Sequence, residues 1–202
     1  MTCNHPTEVN GFSLIELLVV VAIIGLLSSW AIPSYRRKIA LNELDQYTRQ
    51  LESGLFNLRA RQSAEGTSCE INFNSNFAGT GNITTGFGTP ADVVELSHLS
   101  RQQRLERLQC CDASQCTWSP PYRLIDKERS HASRTVMLKV SSSSYSIAPP
   151  GTSTGDNALV LLIRSRYWNR DTQRPLPLRC VKLSPTGHLH SGTWDNQRCR
   201  RR

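Results

Sequence analysis

Glu16 is the only ionisable side chain between positions 12 and 32, in a run otherwise built of Leu, Val, Ile, Ala, Phe, Gly, Ser and Trp. A carboxylate in such surroundings holds its charge only beside a cation, so its chemistry would be ion pairing with a partner brought from elsewhere. Seven cysteines, at positions 3, 69, 110, 111, 116, 180 and 199, can join in disulfides or hold a metal. His188 and His190 alternate, which in a strand puts both rings on one face. A surface metal pair is conceivable there, and an exposed pair without a role is the simpler reading. Arginines crowd the last fifth of the chain. From Val160 onward ten Lys or Arg stand against Asp171 and Asp195, which accounts for the whole net charge of +8. Arg164, Arg166, Arg170 and Arg174 interleave with Tyr167 and Trp168, and Arg198, Arg200, Arg201 and Arg202 surround and follow Cys199. Such a set attracts phosphates and offers rings on which bases stack. The plain alternative is a solvated basic face, or contact with acidic neighbours.

Other chemistry is poorly supported. Adjacent thiolates at Cys110 and Cys111 cannot easily both point at one zinc, and neither C-x2-C nor a paired-His motif is present. There is no G-x-S-x-G, Walker loop, G-x-G-x-x-G or H-E-x-x-H. Gly79-Thr80-Gly81 and Gly86-Phe87-Gly88 read as loop glycines, not phosphate cradles. The expectation is a chain that is no enzyme, with no metal and no cofactor. A mean hydropathy of −0.39 excludes a polytopic transporter.

The element that must position Glu16 is the apolar run itself. Its 21 residues, 12–32, rise about 31 Å as a helix, one hydrocarbon thickness. A secretory signal peptide fits poorly, because no Lys or Arg precedes the run and no A-x-A-like site follows a short apolar core. A simple anchor explains the length and leaves Glu16 unexplained. The residues GFSLIELLVVVAIIGLL resemble the processing and assembly signal of type IV prepilins and type II secretion pseudopilins. That resemblance implies cleavage after Gly11 by a prepilin peptidase and N-methylation of the new terminal residue, Phe12. It places Glu16 fifth in the mature chain, facing the Phe12 amine of a neighbouring subunit and setting axial register. It also puts Gly25 and Pro33 where the family helix is loosened. The partners implied are other pilins or pseudopilins, the prepilin peptidase/methyltransferase and an inner-membrane assembly platform. The location implied is the inner membrane, crossed once, with the head exported to the periplasm and then carried in a pilus or pseudopilus. One feature departs from the family: the leader holds Glu8 and no basic residue, while Arg36-Arg37-Lys38 lie beyond the run. A plain positive-inside count would invert the topology; the processing motif and the cysteines weigh for export.

Beyond Pro33, which a membrane helix tolerates, Tyr35, Ile39, Leu44, Tyr47, Leu51, Leu55 and Leu58 recur at helical spacing. The spacing predicts one helix from residue 12 to about 61, whose upper half lays this stripe on a sheet. LESGLFNLRARQSAEGTSCEINF is similar to the passage from long helix to first strand in FimT/GspH-type minor pilins and pseudopilins, and CVKLSPTGHLHSGTW to their final hairpin. Strands are expected at residues 68–73, 135–140, 145–148, 158–163 and 179–183. A hairpin is expected at 183–189 and a helix from Thr89-Pro90 to about 109. Residues 141–144 and 149–156 read as flexible connectors. The fold class expected is α+β, a long N-terminal helix, half transmembrane and half amphipathic, packed on an antiparallel β-sheet head. The divisions are leader 1–11, assembly helix 12–33, stem 34–62 and head 63–202.

With Cys3 in the leader, six cysteines remain in an oxidising compartment, an even number. The pairing stays open. The preferred bridge is Cys180–Cys199, closing the terminal hairpin, with Cys69 joined to Cys110 or Cys111 and the other to Cys116. The resemblance makes the function architectural, a minor pilin or pseudopilin in a type IV pilus-like filament. The alternatives are a pseudopilin H-like component of a type II secretion system, and a minor pilin that binds DNA during natural transformation, as some FimT-like proteins do through a basic C-terminal region.

Overall fold

The apolar run and the amphipathic stretch after it join into one helix, α1, Leu14–Glu65. It passes through Pro33 without a break and ends at Gly66, whose φ of 65° is the left-handed cap that glycine adopts freely. The protein is described by a computed structural model over residues 13–79, 85–95, 99–111, 124–125, 131–167 and 175–201. The helix extends past the expected end near 61, since nothing between Gln62 and Glu65 stops it. The chain forms two compact units, Met1–Ile39 and Ala40–Arg202.

In the second unit Leu44, Tyr47, Leu51, Leu55 and Leu58 of α1 are wholly buried. Their spacing of three and four residues makes a single apolar stripe. The stripe shares one core with Ile71, Ile147, Leu138, Leu161, Ile163 and Val181. Tyr35 and Ile39, which the periodicity placed on the same stripe, are 66% and 39% exposed and belong to the first unit.

Two antiparallel sheets supply those partners. One has the order β2-β1-β4-β5, from β1 Ser68–Asn72, β2 Leu108–Cys111, β4 Ser144–Ala148 and β5 Thr152–Ser153. The other has the order β3-β6-β7-β8-β9, from β3 Val136–Val140, β6 Leu159–Ser165, β7 Arg179–Leu183, β8 Leu189–Asp195 and β9 Arg198–Arg201. On β6, Leu159, Leu161 and Ile163 enter the main core, while Val160 and Leu162 join Phe87 and Cys180 in a second cluster. Alternation of that kind is what a strand buried on both faces requires.

The head is therefore α+β, with three departures from expectation. The helix expected from Thr89 to about 109 is instead a π-turn at Ala91–Glu95 and a short helix α2, Arg101–Arg107, before the chain turns extended. Leu108–Cys111 pairs with β1, Leu108 opposite Ile71 and Cys111 opposite Ser68, so sheet pairing overrides the helical pattern of RQQRLERLQ. Thr152–Ser153, within an expected connector, pairs with β4. Arg198–Arg201, outside the expected strands, is an edge strand. It is entered through Asn196 and Gln197 at φ 47° and 61°, the two left-handed positions of a type I′ hairpin turn.

Candidate assembly helix and the C-terminal sheet

In the first unit, α1 starts with Leu17 N donating to Ser13 O at 3.1 Å, and Glu16 lies in the first turn, exposed. A carboxylate is favoured at that end of a helix dipole. Around it the apolar side chains have no protein to pack on. Leu14 is 82% and Leu26 73% exposed, and every large apolar residue described between them is at least 45% exposed. Apolar groups point to all sides of the helix, which is stable only in lipid or among other apolar helices. The segment is long and apolar enough to cross a membrane, with a mean hydropathy of 2.4 over its best window. Two hydroxyls are satisfied within the helix, Ser29 Oγ donating to Leu26 O at 2.7 Å and Ser34 Oγ to Ala31 O at 2.9 Å, as suits a non-aqueous setting. Gly25 and Pro33 both lie inside the unbroken helix. Gly11 and Phe12 lie outside the described residues.

In the second unit, Cys180 and Cys199 are joined by a disulfide with Cα atoms 5.8 Å apart. The bridge does not close a single hairpin. It ties β7 to β9 across β8, although two strand spacings in a flat sheet would be about 9.6 Å. β9 therefore curls over β8. Gly192 permits this, since a Cβ there would lie 1.9 Å from the carbonyl oxygen of Arg200. Cys69 is also disulfide-bonded. It faces Cys110 in the β1–β2 register; the side chains of Cys110 and Cys111, and all of Cys116, lie outside the described residues.

The arginines do not form one set. The Arg164 guanidinium lies 4.2 Å from the centre of the Phe87 ring, half-buried, and burial lowers its pKa. This cation–π contact makes Arg164 part of the second apolar cluster. Arg166 is exposed beyond the end of β6. Arg198, Arg200 and Arg201 are exposed on β9, three strands away from β6, and Arg200 Nε lies 3.5 Å from Asp195. Arg170, Arg174 and Arg202 lie outside the described residues. Arg179, counted in the C-terminal excess, is buried: its Nε donates to Asp45 Oδ1 of α1 at 2.7 Å and its guanidinium also meets Thr193. Its alternation with Val181 and Leu183 was the signal that it faces the core. Ser191 Oγ donates to Glu52 of α1 at 2.7 Å, a second polar tie between sheet and helix.

Residues 8–32 match the prokaryotic N-terminal methylation motif. The chain is also 34% identical over 102 residues to a type IV major fimbrial protein FimA of Dichelobacter nodosus, covering 47% of this chain and 61% of that protein. The chain is type IV pilin-like. A second FimA, from D. nodosus strain VCS1703A, is 51% identical over 37 residues, 18% of this chain and 23% of its own length. This pilin-like chain thus spans less than two thirds of the length of the relatives it matches. A crystal structure of the type IV minor pilin FimU of Pseudomonas aeruginosa superposes with a TM-score of 0.43 and 13% identity, over 79% of this chain and 93% of FimU.

Sequence reasoning missed two parts of the head. Gly54 on α1 allows the backbone of Leu124 against the helix, where a Cβ would lie 1.6 Å from the Leu124 carbonyl oxygen; a glycine between Leu51 and Leu55 on a buried stripe is the sign of such an approach. The second is the buried pair Tyr47–Glu95, in which the phenol donates to Glu95 Oε1 at 3.2 Å. Burial first, and then the Glu95 charge and hydrogen bond, raise the Tyr47 pKa well above its ordinary value.

Proposed function

We propose that the protein is a minor pilin, a subunit of a type IV pilus-like filament that is assembled through α1. Residues 1–11 act as a leader that a prepilin peptidase removes after Gly11. Phe12 is then methylated on its new amine. The chain waits in the inner membrane, crossing it once through residues 12–33, with the stem 34–62 and head 63–202 exported. An assembly platform draws it into the filament, where Glu16 pairs with the Phe12 amine of a neighbour and Gly25 and Pro33 let the helix loosen.

The observation that carries this reading is a helix whose described large apolar side chains are bare from Leu14 to Leu27, with one carboxylate in its first turn inside the methylation motif. Inside an apolar bundle an unpaired carboxylate is costly, and a neighbour's terminal amine removes that cost only at one axial offset. Intact-mass measurement of the membrane-extracted protein tests the processing: loss of residues 1–11 and gain of one methyl group are expected. Glu16→Ala should remain in the membrane and fail to enter filaments; normal entry would count against the pairing.

The exposed arginines on β9, held by the Cys180–Cys199 bridge, favour a DNA-contacting version of this role as a second reading. Retention of DNA by the full chain that falls steeply with salt, and is lost on replacing Arg198, Arg200 and Arg201, is its test. A pseudopilin of a type II secretion system would use the same helix; loss of secretion rather than of pili in a deletion strain distinguishes the two.

A further inference from the structure

This inference rests on the membrane reading above. The apolar part of α1, residues 14–32, rises about 28 Å, so its ends lie near the two hydrocarbon boundaries. Arg36, Arg37 and Lys38 follow four to six residues later. At helical rise that is about 6–9 Å beyond the boundary, the depth of the phosphate layer. Arg36 and Lys38 are exposed; Arg37 is half-buried with a partner in the chain. At about 100° per residue the three side chains cover about 200° of the helix perimeter, so a neighbour packed on one face leaves a cation turned to lipid. Tyr35, 66% exposed, stands just before them, a ring with a polar tip at interface depth. No carboxylate occurs between Glu16 and Glu43. Glu43 is bound by His131 at 2.8 Å and Asp45 by Arg179 at 2.7 Å, so the next acids in sequence are already engaged.

The geometry points to a phospholipid-headgroup site at Arg36-Arg37-Lys38. The exposed Arg36 guanidinium and Lys38 ammonium donate to phosphate oxygens of anionic lipid, with the charge of the already partnered Arg37 between them, and hold the subunit at a fixed depth until assembly withdraws it. The lipid phosphate is preferred over free phosphate because the cations sit at one membrane depth, beside an interfacial tyrosine. The site works in either leaflet and so does not depend on which side the head occupies.

The test uses the full chain reconstituted in vesicles of phosphatidylcholine and of an equal mixture with phosphatidylglycerol. The ratio of the two lipids retained on extraction is read by mass spectrometry. The wild-type chain should retain phosphatidylglycerol preferentially, and Arg36→Gln/Arg37→Gln/Lys38→Gln should lower that preference about tenfold or more, each basic residue near an anionic surface being worth about fivefold. Rising salt should erode it. Equal ratios for wild type and variant would overturn the proposal and leave the cations to an acidic protein neighbour. Inorganic phosphate that strips the lipid at constant ionic strength would reassign the site to free phosphate. A chain that fails to float with vesicles of either composition would sink the membrane reading, and this site with it.

Discussion

Two stretches of α1 use the same residue types to opposite ends. Residues 14–32 are apolar on every face, and the large side chains described there stand bare. Residues 44–58 gather Leu44, Tyr47, Leu51, Leu55 and Leu58 on one face, which is wholly buried, and leave Phe56 exposed off that stripe. In the first stretch the one charged group, Glu16, is exposed in the first turn. In the second, Asp45 and Glu52 bind Arg179 and Ser191 of the head, and Glu43 just before it binds His131. One helix is thus written for two solvents. The second stretch is finished by its own fold, and the first is left without packing from it.

The largest effect that would sharpen this contrast is at Asp45. Removing one partner of a buried ion pair leaves the other charge stranded, which costs about 3–5 kcal/mol. Asp45→Ala should therefore lower the unfolding free energy of the head by that order, because Arg179 keeps only 7% of its side chain in water. Chemical denaturation of the full chain in detergent, followed by head fluorescence, measures it. A loss below about 1 kcal/mol would mean that Arg179 finds another anion or escapes to solvent.

How much of this was legible follows from what each signal depends on. The assembly helix and the stripe from Leu44 to Leu58 are written in local periodicity, which needs no knowledge of the rest of the chain. The strands β3, β4, β6 and β7 show in the same way, through runs of β-branched and apolar residues. β2 was hidden because RQQRLERLQ is a good helix by pattern, and only the edge of β1 decides otherwise. β9 was hidden because Arg-Cys-Arg-Arg has no apolar alternation; the two left-handed turn residues and the disulfide make it a strand. The basic C-terminus looked uniform since charge was counted without facing. Arg179 points to the core, Arg164 to Phe87, and those on β9 to solvent.

Next in size is the matched truncation of a leucine in each stretch. Leu51→Ala should cost the head about 2–5 kcal/mol, the range for emptying a buried leucine site. Leu18→Ala, the same chemical change on the bare stretch, should leave head unfolding unchanged. Equal losses at both positions would break the comparison. The disulfide comes third. Its loop of 19 residues contributes about 3 kcal/mol by the chain-entropy argument. Cys199→Ser should remove roughly that much from the head and release β9. Reductant should reproduce the loss in the wild type and add little in the variant, apart from any effect through Cys69.

The smallest expected effect lies where the stripe turns polar, at Tyr47. Its phenol is wholly buried and donates to Glu95, so the phenolate is opposed by lost solvation and by a nearby carboxylate. In the unfolded chain the same group titrates near 10. Above that pH the unfolded state sheds a proton that the folded state keeps. Stability then falls as pH rises, by up to about 1.4 kcal/mol per unit, until the folded group also ionises. Below pH 10 Tyr47 contributes no slope. Tyr47→Phe should weaken the head at neutral pH by about 1 kcal/mol through the lost hydrogen bond, yet flatten its decline between pH 10 and 11. Tyr145, whose pKa burial also raises, titrates alike in both proteins, so the difference in slope isolates Tyr47. Denaturant midpoints of the two proteins across that window measure it. Parallel declines would mean that water reaches the Tyr47 hydroxyl, and that the buried end of the stripe is less dry than its leucines.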